Sequence, residues 1–155
     1  MRQQRWFPIA VLGVGLFAIN VVARLVIRIG FNDDDTAQNR ASFVMFAVIG
    51  LVLAVVTFRR SQRVAPSGWL PDLTGAAVLG LLLTILVGPF ISGDTPFANG
   101  AGSFFSQIWL YAGFAIVGTL LGYWIATAFG RDYRSRSLKA FATAKTSKPR
   151  RPVRR

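Results

Sequence analysis

Asn20, Arg24 and Arg28 recur every four residues, so a helix would carry all three on one face. A guanidinium inside hydrocarbon is costly and usually marks a site for an anion, a lipid headgroup or a partner carboxylate. Counted from Phe7, however, Arg24 lies roughly 26 Å along such a helix, close to the far edge of a bilayer. There it can reach the headgroups or pair with Asp33, Asp34 or Asp35, so anchoring at the interface is the first expectation and an anion or lipid contact the second. The three adjacent aspartates could hold Ca²⁺ or Mg²⁺ weakly through oxygen, but they match no cation-loop spacing. They read as a solvated turn that balances Arg28 and Arg40. Other chemistry is scarce. The chain has no histidine, cysteine or glutamate, and its six acidic residues are all aspartate. That leaves no ligand set for zinc and no imidazole for a serine nucleophile. No catalytic residue, cofactor or metal is expected.

The elements that must position these residues are four apolar blocks, with spans expected over about 7–29, 41–58, 73–91 and 104–129. A hydrocarbon core about 30 Å thick needs about 20 helical residues. A membrane barrel would need strict alternation, which is absent. The expected fold is therefore an all-α membrane protein, a four-transmembrane-helix bundle over residues 1–130 followed by a basic tail over 131–155. Met1–Arg5 and the small residues at Val21–Ala23 would suit a cleaved signal peptide, but the apolar run continues past that point, so a retained span is expected. Asp72 and Ser103 are placed to cap the third and fourth helices, and Gly88-Pro89 should bend or end the third. Trp6, Trp69 and Trp124 fall near one boundary and Trp109 near the other, as in an aromatic belt.

Charge sets the expected orientation. Fifteen Lys/Arg lie in the N-terminal segment, the second loop and the tail, against three in the first loop and none in the third. Cytoplasmic segments carry that excess, so both termini are expected in the cytoplasm and the chain in the plasma (inner) membrane, multi-pass. In the tail, Arg131 to Lys145 can form a basic helix with Tyr133, Leu138 and Phe141 on a weak apolar side. Residues from Thr146 onward are too charged and proline-rich to pack, and disorder is expected there. Arg131, Arg134, Arg136 and Lys139 are expected to contact anionic lipid headgroups. Nucleic acid is not an expected partner.

Small residues form two ridges. Ala76, Gly80, Thr84 and Gly88 recur every four residues in the third block, as do Gly118, Gly122, Ala126 and Gly130 in the fourth. Lipid supplies no hydrophobic drive for helix association, so small residues mark close backbone approach. The two ridges are expected to meet each other within one subunit; the alternative is contact with a second copy or another membrane subunit. The expected role is an accessory or assembly subunit of a membrane complex. The alternative is a small oligomeric channel or carrier with a polar first-helix face.

Gln107-Ile-Trp-Leu-Tyr-Ala-Gly-Phe114 and Arg131-Asp-Tyr-Arg-Ser135, within an Arg-rich and Ala/Gly/Val-heavy chain, resemble uncharacterised four-span membrane proteins of high-GC actinobacteria. The resemblance implies a membrane location and carries no activity. Small multidrug exporters are similar in length and span number but depend on a membrane glutamate that this chain lacks. Dimeric fluoride channels share a polar first helix, yet the rest of their pattern is missing.

Overall fold

A computed structural model of the chain describes residues 6–30, 35–93, 95, 97 and 100–146. The Asp33–Asp34 part of the acidic run, Asp94 and Asn99 in the third loop, and the tail beyond residue 146 lie outside that set, as do the side chains of Arg28 and Asp35. The described residues are helical almost throughout: α1 Trp6–Gly30, α2 Asp35–Ser61, α3 Pro66–Leu86, α4 Gly88–Ser92, α5 Gly100–Ala128 and α6 Tyr133–Thr146. Four of these, α1, α2, α3 and α5, are long and apolar enough to cross a membrane by length and composition. Each turns large apolar side chains outward; Val44, Leu51, Ile116 and Leu120 are all exposed. Such a surface suits lipid and not water.

The helices run past the apolar blocks, and this moves the expected caps. α3 begins at Pro66, whose fixed φ suits the first helical position, after Ala65 as the cap residue. Asp72 is thus inside the helix, where its carboxylate stands 3.7 Å from the Arg60 guanidinium of α2. Pro71 falls in the second turn, where only the carbonyl of exposed Ser67 loses its donor. α5 begins at Gly100, so Ser103 lies in its first turn rather than at its cap. The third block does break at Gly88-Pro89, as expected, leaving the short α4.

The register of close contacts gives the helix directions. Gly13 meets Ala76, Leu16 meets Gly80 and Asn20 meets Gly88, so α1 and α3 run parallel. Gly50 meets Gly118 and Ala54 meets Gly122, so α2 and α5 are parallel too. Trp69 stacks near Tyr123 while Gly80 meets Tyr111, which makes α3 and α5 antiparallel. The most extensive packing is α2 on α5 and α1 on α3, and the helices close a ring in the order α1, α2, α5, α3. Sequence neighbours α2 and α3 therefore face each other across a diagonal.

This arrangement corrects the expectation that the two small-residue ridges meet. The ridge of α5 lies on α2 and that of α3 lies on α1. A Cβ on Gly118 would stand 2.7 Å from the carbonyl carbon of Gly50, and one on Gly122 would stand 2.8 Å from that of Ala54. α2 answers with its own small pair, Gly50 and Ala54, at the same spacing. Glycine at both positions of α5 lets two backbones touch, which brings Cα–H groups against carbonyl oxygens. Ala126 continues this face, fully buried. Around it, Met45, Phe46, Ile49, Leu53, Tyr111 and Ala115 form the core with Leu16, Trp69 and Leu73. Trp69 is therefore a core residue, 4% exposed, while Trp6, Trp109 and Trp124 are exposed as a belt requires.

Gly130 is no ridge residue. It adopts φ 58°, the left-handed conformation that glycine tolerates best, and ends α5. Arg131 N–H donates to the Ala126 carbonyl (2.9 Å) and Gly130 N–H to that of Thr127 (2.8 Å), the double closure of a Schellman turn.

Candidate functional site: a buried polar cluster among four helices

Asn20 is 1% exposed, in the middle of an apolar bundle. It lies roughly 21 Å along α1 from Trp6, well inside a hydrocarbon core if the helix spans one. Its position follows from α1 packing on α3 through Gly13 and Leu16; one turn later the same face carries Asn20, then Arg24. Arg24 Nε donates to Asn20 Oδ1 at 3.1 Å, which fixes the amide orientation. The Asn20 Nδ2 then donates to the Met45 sulfur at 3.0 Å. A thioether is a weak acceptor, so the amide keeps donor capacity in reserve. Arg24 is half-buried and engaged with more than Asn20.

Glycine makes the room. A Cβ on Gly88 would stand 2.9 Å from Asn20 Oδ1 and 3.2 Å from Arg24 Nε. Here the chain breaks between α3 and α4, because Pro89 has no N–H to give the preceding turn. One turn back is Thr84, 1% exposed, and one turn before that Gly80, whose Cβ would stand 2.7 Å from the Tyr111 hydroxyl of α5. Tyr111 is 2% exposed, held edge-on against Phe46. Gly80 and Thr84 share one face of α3 by their spacing of four, and Gly88, four residues on, opens α4, so the Tyr111 hydroxyl, Thr84 and Asn20 follow one another along this stretch of chain. Neither the Thr84 nor the Tyr111 hydroxyl has a hydrogen-bond partner. Each buried hydroxyl left so costs about 1–3 kcal/mol, and a water or an ion is among the partners that such a group can take. Asn20, Thr84, Tyr111 and Arg24 can all donate, so the arrangement suits an acceptor-rich species.

The structure thus brings together Asn20, Arg24 and Gly88 from among the residues singled out in the sequence, adds Met45, and buries Thr84 one turn and the Tyr111 hydroxyl about two turns back along the chain. Tyr111 reads in sequence as one more aromatic of an apolar helix, and Met45 as one more core residue. Gly50 and Ala54 were detectable, since their spacing of four is the same signal that marks the other ridges.

The tail cations stand apart from this cluster, at the opposite end of the bundle. Arg131, Arg134, Arg136 and Lys139 are exposed. Asp132 is buried and caps α6, accepting from the Ser135 backbone N–H at 3.3 Å. The Ser135 hydroxyl, joined by the backbone N–H groups of Ser135 and Arg134, holds this carboxyl below the usual carboxylate range against the opposing effect of burial. Arg136 Nη1 reaches the Gln62 carbonyl at 3.4 Å, between α2 and α3.

Comparison of the chain with protein-family models, with curated proteins and with solved structures finds no match.

Proposed function

We propose that this chain is a small membrane channel or carrier, with both termini in the cytoplasm, whose bundle holds a small anion in its outer half at Asn20, Arg24, Thr84 and Tyr111. One observation carries the reading: the buried, unpartnered hydroxyls of Thr84 and Tyr111 lie along the stretch from Gly80 to Gly88, whose far end meets Asn20 and Arg24. The break between α3 and α4 supports it, because irregular backbone at membrane depth is tolerated where it lines a cavity or is buried in protein. Interrupted helices beside a solute site are common in transporters. The role of accessory subunit drew on the small-residue ridges and the basic tail as contact surfaces, and the ridges are covered within the chain, chiefly by α1 and α2. The orientation rests on the surplus of Lys/Arg in the segments at the tail end.

The test is flux from liposomes holding the purified chain and loaded with chloride, nitrate or phosphate. Thr84→Val and Tyr111→Phe each remove one donor and nearly preserve volume. Losing a hydrogen bond to a charged species costs about 1.5–3 kcal/mol, so flux of the conducted anion should fall about tenfold or more in each. Thermal stability should stay level or rise, since a buried unpartnered hydroxyl is gone. Parent flux no greater than that of empty liposomes for all three anions would refute the proposal, as would unchanged flux in both variants.

A further inference from the structure

α6 is exposed along almost its whole length. From Tyr133 to Lys145 only Ser135 is even half-buried; Leu138 is 68% and Phe141 69% exposed. A 14-residue helix is marginal in water by itself. Its start is nevertheless built firmly, with the Gly130 turn before it, the buried Asp132 cap, and the Arg136–Gln62 bond to the bundle. At 100° per residue, Leu138, Phe141 and Ala142 share one side, with Arg134 one turn before and Lys145 one turn after them on that same side, while Ala140 points the opposite way. The helix leaves the bundle just after exposed Trp124 and Phe129, aromatics that mark a headgroup level. Arg59, Arg60 and Arg63 lie at the same end.

We infer that α6 is an interfacial helix that lies on an anionic lipid surface, Leu138 and Phe141 inserted among the acyl chains and Arg134, Lys139 and Lys145 at the headgroups. A cationic helix with an exposed apolar strip needs an occupant that is both anionic and oily, and a bilayer carrying acidic lipid is both. An aqueous polyanion would satisfy only the charge and leave Phe141 in water.

The chain has no cysteine, so single labels can be placed on the full-length protein. Phe141→Cys and Ala140→Cys, each carrying an environment-sensitive fluorophore, are compared in nanodiscs of phosphatidylcholine alone and with phosphatidylglycerol added. The expected result is a severalfold rise in emission with a blue shift at 141 in the acidic discs, a smaller change in neutral ones, and little change at 140 in either. Equal responses at 140 and 141 would overturn the orientation. No response at 141 in acidic discs would overturn insertion, and an equal response in neutral discs would overturn the requirement for acidic lipid. Suppression of the 141 response when acidic discs also receive an added protein fraction would place the strip on that protein instead, and would overturn the lipid assignment.

Discussion

One substitution, made twice in one helix, should give opposite results. Gly122 and Gly113 both lie in α5, but a Cβ at Gly113 meets nothing within 4 Å, whereas one at Gly122 stands 2.8 Å from Ala54 Cα and carbonyl carbon and closer still to its oxygen. Ordinary contact begins near 3.4 Å, so α2 and α5 would have to part by at least about 0.6 Å. A gap of about 0.5–1 Å already forfeits about a quarter to a half of each dispersion contact along that seam. The obstruction is backbone, which no rotamer change relieves. Overpacking of this kind costs about 1–3 kcal/mol, set against about 0.5–1 kcal/mol gained by replacing a helical glycine with alanine. Gly122→Ala should therefore be destabilising by about 1–2 kcal/mol, and Gly113→Ala stabilising by about 0.5–1 kcal/mol. Thermal unfolding in mild detergent, followed by circular dichroism, reads both. If Gly122→Ala proved as stable as Gly113→Ala, the tight α2–α5 seam would be wrong.

Two further outcomes follow from other parts of the structure. Asp132→Ala should remove about 1 kcal/mol from the start of α6 and loosen it, seen as faster amide exchange over residues 133–137. Because the Asp132 carboxyl is held below its usual range, its contribution is complete at neutral pH and fades only as pH falls through that lowered value; the variant should lack this acid transition, and an identical transition in both would refute the assignment. For orientation, single cysteines at Ser67 and Gly102, both exposed, should label from opposite sides of intact cells, with Gly102 reached by an impermeant reagent and Ser67 shielded. Labelling of Ser67 alone would invert the bundle.

The four long helices were legible because an apolar run of membrane length has few other uses. Their ends were less so. α2 starts at Asp35 and α5 at Gly100, several residues before the apolar blocks, since hydrocarbon thickness constrains only the stretch inside it and a helix continues through polar residues beyond. Small residues every four positions announced that backbones would approach, but spacing cannot say which helix approaches. Gly118 and Gly122 could have met any ridge of similar pitch, and it is Gly50 and Ala54 that they meet. The shared face of Asn20 and Arg24 was visible from periodicity. Its burial was not, because that depends on Gly88 and the break at Pro89 bringing α3 over it. Tyr111 gave no sign at all; a phenol is unusual only once its hydroxyl is seen to end against Gly80 without a partner.

The ring order α1, α2, α5, α3 bears on how the chain is made. Gly50 and Gly118 are separated by 68 residues, so the glycine seam of α2 is synthesised long before its partner. At about 5–20 residues per second that interval is roughly 3–14 s. During it the groove of α2 lacks the helix that covers it in the folded chain. α3, synthesised in between, packs on α1 in the folded chain and not on that groove. Closure of this bundle therefore waits on α5, and a chain halted before it would leave the close-packing face of α2, Gly50 and Ala54, uncovered.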